Sequence, residues 1–221
     1  MFKIILFEML VNNVSAIDKK IKKRDYHNNG KYPIIDQGNQ LIGGYTDKQE
    51  NVISAKEPLI VFGDHTKVLK YINFDFVPGA DGIKIIKPVK SIDTKYLFYY
   101  LKITELPDKG YARHFQYLEK VRVPVVPLPE QQSIVSKIEE LFTKLDAGVE
   151  GLKRIQKEIK RYRQAVLKYA FEGKLTEEWR KMNKDKLEPA SELLKRIKEE
   201  RKKTLGKKYK EPLRLSNFFG W

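Results

Sequence analysis

Residues 129–173, PEQQSIVSKIEELFTKLDAGVEGLKRIQKEIKRYRQAVLKYAFEG, decide how the rest of the chain is read. Placing Ile138, Leu145, Leu152, Ile159 and Val166 at heptad position a sets Ile134, Leu141, Gly148, Ile155, Tyr162 and Tyr169 at d. This is an apolar stripe of about five heptads, weak only at Gly148, and it predicts one long helix. Pro127 and Pro129 suit a helix entrance, and Gly173 suits a C-terminal cap. At 1.5 Å per residue the helix would run about 65 Å, too long to hide its stripe on one small globule. The stripe therefore calls for a second long helix, and the competing reading, a helix packed on its own domain, conflicts with the length.

Charge gives that second helix a direction. Residues 129–151 hold five acids (Glu130, Glu139, Glu140, Asp146, Glu150) against two bases, whereas 152–174 hold eight bases against two acids. A parallel copy would set like halves together; an antiparallel copy lays the acidic half of each helix on the basic half of the other. Antiparallel pairing about a two-fold axis near Gly148 to Leu152 follows as the expectation. Exposed ion pairs contribute only about 0–1 kcal/mol each, so charge chooses the direction and the stripe supplies the affinity.

The 221 residues suffice for one domain of ordinary size plus an extension. We divide them into a globule at 1–128, the long spacer helix at 129–174 and a basic helical linker or tail at 175–221. The formal charge is +15, and each of the three segments carries an excess of Lys and Arg. Such a distribution points to a polyanion, of which nucleic acid is the commonest. Cysteine is absent, which removes disulfides and thiolate metal sites from consideration. The opening MFKIILFEMLVNNV is short, carries Lys3 and Glu8 and lacks a cleavage pattern, so neither a signal peptide nor a membrane span is expected and the default location is cytoplasmic.

Residues 1–128 read as a mixed α/β globule. Strands are expected at Phe2 to Phe7, at Leu59 to Phe62, along the alternation of Ile72, Phe74 and Phe76, and at Gly82 to Pro88. Asp93 is placed to cap a helix bearing Tyr96, Leu97, Tyr100 and Leu101. Val121 to Val126 is extended and feeds the long helix through VPLPEQQ. After Gly173, Pro189 or Ser191 opens a shorter helix bearing Leu193, Leu194 and Ile197, and the chain beyond Lys203 reads as a loose tail in which Phe218, Phe219 and Trp221 are the apolar residues.

Signals for catalysis are weak. His27, His65 and His114 show no ligand spacing, and Gly43 and Gly44 match no phosphate loop. Asp75, Asp81 and Lys84 would suit a magnesium-dependent nuclease only if their groups converged, which spacing alone does not establish. Signals for DNA binding are better. Gln37, Asn39 and Gln40 sit beside flexible glycines and Tyr45, and amides of this kind bond bidentately to adenine. Asp64, His65, Thr66 and Lys67 follow a buried strand directly. Lys109, Arg113 and His114 interleave with Tyr111 and other aromatics, the mixture a DNA surface favours. Turn and core roles compete with each of these readings.

The run VPLPEQQSIVSKIEELFTKLDAGVEGLKRIQKEIKRYRQAVLKYAFEGKLTEEWR closely resembles the spacer helix of type I restriction-modification specificity subunits. YPIIDQGNQLIGGYT, PLIVFGDHTKVLKYINFDFVPGADGIKII and GYARHFQYL resemble one class of their target recognition domains. The resemblance implies a non-catalytic subunit that binds double-stranded DNA, reads one half of a bipartite target per recognition domain and docks methyltransferase subunits. A restriction subunit would join indirectly. It also implies that the S-adenosylmethionine and ATP of such systems bind elsewhere, leaving this chain without a cofactor. Family members typically hold two recognition domains and two helices, whereas this sequence has one of each and looks like a half subunit. An antiparallel homodimer would rebuild the two-domain arrangement. A free-standing dimeric DNA-binding regulator is the alternative, and a magnesium-dependent nuclease a weaker one.

Overall fold

The computed structural model describes residues 2–108, 110 and 112–211. Among them, in chain order, lie β1 (Lys3–Leu6), β2 (Val11–Val14), β3 (Tyr32–Ile35), β4 (Gly44–Thr46), β5 (Leu59–Gly63), β6 (Leu69–Ile72), β7 (Val77–Pro78), β8 (Ile83–Pro88), α1 (Thr94–Ile103), α2 (Phe115–Leu118), β9 (Arg122–Val125), α3 (Leu128–Phe171), α4 (Glu177–Met182) and α5 (Ala190–Leu205), with short 3-10 turns between them. The chain divides into two compact units, 1–148 and 149–221, and the boundary falls inside α3.

In the first unit, β5 is apolar on both faces because both faces are covered. It is a central strand of an antiparallel sheet ordered β2-β8-β5-β6. Successive side chains on a strand point to opposite faces. Ile60 and Phe62 therefore join a core with Phe7, Leu10, Ile86, Leu97, Leu101, Phe115 and Leu118, while Leu59 and Val61 join a second core with Ile35, Ile72, Phe76, Ile83 and Ile85. A smaller mixed sheet, β4-β3-β7, pairs β3 antiparallel with β4 and parallel with β7. β1 pairs antiparallel with β9, Lys3 opposite Val125, which ties the first strand to the approach to α3.

Several expectations hold at the residue level. α1 starts where Asp93 accepts a hydrogen bond from the Tyr96 N–H at 2.9 Å. Gly173 adopts φ 73°, the left-handed conformation open to glycine, and ends α3. α5 follows directly on Pro189.

Two expectations are corrected. The strand read at Phe2 to Phe7 stops at Leu6 and turns into a 3-10 segment, which sends Phe7 and Leu10 into the core. The alternation at Ile72, Phe74 and Phe76 is not one strand but a strand that changes sheets. β6 ends at Ile72, and Asp75 turns the chain by accepting from the Ser54 hydroxyl (3.1 Å) and the Ala55 N–H (2.9 Å). Phe76 then bridges Ile53 and leads into β7. Ile72, Phe74 and Phe76 face one core across the change of sheet, while Asn73 and Asp75 stay exposed.

α3 is the single helix expected, one residue longer at its start than Pro129. Its first turns are not free, however. Gln131 and Val135 are buried in the first unit, and Ile134 and Ile138 are half-buried. The Gln131 side chain accepts from the Asp93 N–H (2.8 Å) and donates to the carbonyls of Ser91 (3.1 Å) and Val126 (2.8 Å). Glu139 receives the Lys95 ammonium at 2.5 Å and the Tyr99 hydroxyl at 3.3 Å, which holds its carboxyl below the usual range, chiefly through Lys95. Ile134 and Ile138, expected wholly in a dimer seam, thus also pack toward their own domain. From Leu141 onward the expected interface residues Leu141, Leu145, Leu152, Ile155, Ile159, Tyr162, Val166 and Tyr169 are all exposed.

The second unit, described over 149–211, holds the rest of α3 together with α4 and α5, and none of its described residues is buried. Leu193, Leu194 and Ile197 of α5 lie open to solvent. Lys109, Tyr111, Phe218, Phe219 and Trp221 lie outside the described residues.

Candidate nucleic-acid interface

The loops singled out from the sequence are far apart in the chain and meet in space. β5 delivers Asp64 to Lys67, the turn between β3 and β4 delivers Gln37 to Gly43, β7 leads to Gly82, and the approach to α2 delivers 112–114. Thr66 donates its hydroxyl hydrogen to the Gln37 carbonyl at 2.7 Å. The Asp64 N–H donates to the Gly82 carbonyl at 2.6 Å, and the His114 N–H donates to the Asp64 carbonyl at 2.8 Å. His65 Nδ1 lies 3.2 Å from the Ala112 carbonyl oxygen. Lys67 Nζ lies 3.6 Å from Asp108, whose carboxyl is held low by the Gly110 N–H and then by Lys67. One rim therefore carries residues from four separate segments.

Gly82 makes this convergence possible. Its φ is +76°, and a Cβ there would meet the His65 ring at 2.8 Å and the Gln37 amide at 3.0 Å. Gly43 does the same for the neighbouring turn, since a Cβ would lie 2.5 Å from Asp36. Beneath the rim, Asp36 accepts from the Gly38 N–H at 2.9 Å and lies 3.5 Å from the buried Lys70 Nζ. Burial lowers the Lys70 pKa more than Asp36 raises it. The Tyr26 hydroxyl, buried without a hydrogen-bond partner, is pushed up to about 12 by burial and then by Asp36 and Asp81.

The expected contact residues sort by exposure. Asn39, Gln40, Thr66 and Arg113 are exposed, and Gln37, His65 and Lys67 are half-buried on the rim. Asp64 and His114, expected to face DNA, are instead only 4% and 0% exposed. The correction has a clear physical cause: the Asp64 carboxylate is the acceptor for the Phe115 N–H (2.8 Å), and His114 Nδ1 lies 3.0 Å from the Asp64 carbonyl, so both residues hold the rim from inside. Tyr45 is not in this group; it sits on β4 opposite Pro33 and exchanges backbone hydrogen bonds with His27 at 2.9 Å. Gln116, which the sequence reading did not single out, is exposed beside Arg113 at the start of α2 and donates to its carbonyl at 3.0 Å. Sequence reasoning also missed Gly82, for which the Asp81-Gly82 turn signal was available.

Among the described residues no group of three or more His, Asp or Glu side chains could hold a metal ion. Asp75 is engaged by Ser54 and Ala55, and Lys84 Nζ lies 5.2 Å from the centre of the Phe115 ring. No helix of the described residues is long and apolar enough to cross a membrane.

An α/β domain with a converged polar rim, continued by a long amphipathic helix, has the architecture of a recognition module. Residues 11–161 match the type I restriction modification DNA specificity domain, and the chain belongs to that family. It is 29% identical over 173 residues to the type I restriction enzyme EcoR124I/EcoR124II specificity subunit of Escherichia coli, covering 72% of this chain and 42% of that one. To the EcoDI specificity subunit of Escherichia coli it is 30% identical over 187 residues, covering 75% and 41%. Specificity subunits are the non-catalytic components of restriction-modification complexes. The chain spans less than half the length of these relatives. The fold is shared with a chain from a structure of a type I R-M system (TM-score 0.59, 19% identity, 77% of this chain and 45% of that one). It is also shared with the HsdS subunit from Thermoanaerobacter tengcongensis (TM-score 0.52, 19% identity, 78% and 45%).

Proposed function

We propose that this chain is the DNA-reading half of a type I specificity subunit. Its rim reads one half of a bipartite target, its helix pairs antiparallel with a second copy to bring in the other half, and the paired helices dock methyltransferase subunits. The convergence of four segments on one rim carries the reading, because exposed amides, a hydroxyl and the Arg113 guanidinium are presented together by a rigid sheet. The exposed stripe of α3 supports the pairing. With position a facing d about an axis at Glu150, Ile134 meets Val166, Ile138 meets Tyr162, Leu141 meets Ile159, Leu145 meets Ile155 and Gly148 meets Leu152. These five pairs join apolar or aromatic residues and one glycine, while Tyr169 falls opposite Gln131, which is buried in its own domain.

Co-expression with candidate methyltransferase subunits tests the docking, the expected outcome being a stable complex that methylates adenine in a symmetric, interrupted sequence found by methylome sequencing. Purification of the chain alone, with DNA binding intact, would favour the free-standing regulator. In fluorescence anisotropy on that sequence, Arg113→Ala is expected to weaken specific binding by about 1–3 kcal/mol if it reads a base, and equally on all sequences if it holds a phosphate.

A further inference from the structure

The first unit has a groove that the recognition rim does not use. It runs between α1 and the first part of α3 and has a volume of about 480 Å3. Tyr99 and Ile103 of α1 form one wall, and Ile134, Ile138, Leu141 and Phe142 of α3 form the other. Ile103 is 78% exposed, a large aliphatic side chain with no packing role in its own domain. The walls are nonetheless fixed in place. The Phe142 and Tyr99 rings stand edge to face at 5.9 Å, Glu139 ties α3 to Lys95 and Tyr99, and Gln131 pins the helix start. A preformed apolar notch between two braced helices suits a third helix.

The occupant follows from the register, and this step rests on the antiparallel pairing proposed above. The α3 residues Ile134, Ile138 and Leu141 that line the groove are those that meet Val166, Tyr162 and Ile159 of a second copy. We propose that the groove seats this segment of the second copy's α3, so that each globule clamps the basic half of its partner's helix between α1 and α3. Charge agrees with the placement. The same register brings Lys160 and Arg161 of the second copy level with Glu140 and Glu139 beside the groove. Tyr162 is 72% exposed and is the aromatic residue best placed to fill the notch, with the ring buried and the hydroxyl at its open edge. Ile103 then becomes an interface residue although it lies outside the heptad stripe. The consequence is that pairing also orients each globule against the rod of the other copy, not merely its own.

These 221 residues include no cysteine, so engineered thiols report cleanly. Ile103→Cys chains mixed with Tyr162→Cys chains should give a cross-linked dimer on oxidation. Leu145→Cys mixed with Ile155→Cys reports helix pairing alone. If the second pair cross-links and the first does not, the groove assignment is overturned while the pairing stands; if neither does, both fall. Independently, Ile103→Lys should raise the dimer dissociation constant at least about tenfold in sedimentation equilibrium, since the side chain is exposed within its own domain and its replacement leaves the fold intact. An unchanged constant would also overturn the proposal.

Discussion

At the scale of single residues, the polar groups that look most like DNA contacts divide into those that face out and those that hold the others. Asp64 accepts from the Phe115 N–H through its carboxylate and from the His114 N–H through its carbonyl, across about fifty residues of chain. Asp64→Ala leaves a buried N–H without an acceptor, which is expected to cost about 1–3 kcal/mol in urea denaturation. It should also weaken the proposed DNA binding, although Asp64 itself is buried, because the rim loses its internal tie. Tyr26 offers a pH-dependent counterpart. Its hydroxyl ionises near 10 in the unfolded chain and at about 12 in the folded one. The folded value is the higher, so the stability it contributes is complete below pH 10 and lost as pH rises toward 12. Tyr26→Phe removes a buried hydroxyl that has no hydrogen-bond partner, so stability at pH 7 should change little. The decline between pH 10 and 12 should flatten by up to about 2 kcal/mol, measured by denaturant unfolding across that range. Which of these side chains would be buried was not legible in the sequence. The polarity of Asp64 and His114 is local information, whereas their partners lie in segments that only the fold brings near.

At the scale of elements, legibility follows how self-sufficient each segment is. α3 was readable in full because its periodicity, its proline entrance and its glycine cap are all encoded within the segment. α1 was readable from its Asp93 cap and its spacing. The segment from Ile72 to Phe76 misled because alternation reports only that every second side chain is buried, and a chain that passes from one sheet to another over the same core satisfies that pattern as well as a straight strand. The docking of the start of α3 was equally hidden. Gln131 gives no hydrophobic signal, yet it is wholly buried and satisfies Ser91, Asp93 and Val126 together. Gln131→Leu keeps much of the volume but strands one N–H and two carbonyls. A loss of about 2–4 kcal/mol is expected in the unfolding of the first unit, since buried unpaired groups cost about 1–3 kcal/mol each and the carbonyls recover part of this from water. The same variant should shift the urea midpoint without changing the helical content of α3 seen by circular dichroism, because the heptad pattern is untouched.

At the scale of the whole molecule, the first unit has cores on both sides of its main sheet, whereas the described part of the second unit has no buried residue. Ordering a helical segment costs about 1–2 kcal/mol of backbone entropy per residue, and exposed apolar side chains return little of it. A helix this long and this open is stabilised chiefly by what covers its stripe. Leu152 tests this most directly, because in the proposed register it lies beside the two-fold axis and appears twice in the seam, each copy facing a Gly148. It is 68% exposed within its own chain, so Leu152→Lys should leave the globule folded. In the dimer it would place two ammonium groups close together in an apolar seam, where desolvation and like-charge repulsion add. Sedimentation equilibrium should then show single chains at micromolar concentration, where the unaltered protein is expected to dimerise. The DNA consequence follows from the same geometry. In the proposed dimer, two rims held on one rod would bind two half-sites as a single event, with the second at high effective concentration. A monomeric Leu152→Lys chain should bind a complete site no more tightly than an isolated half-site and lose its dependence on half-site spacing. Retention of spacing dependence by a monomeric variant would mean that the rod does not set the distance between half-sites.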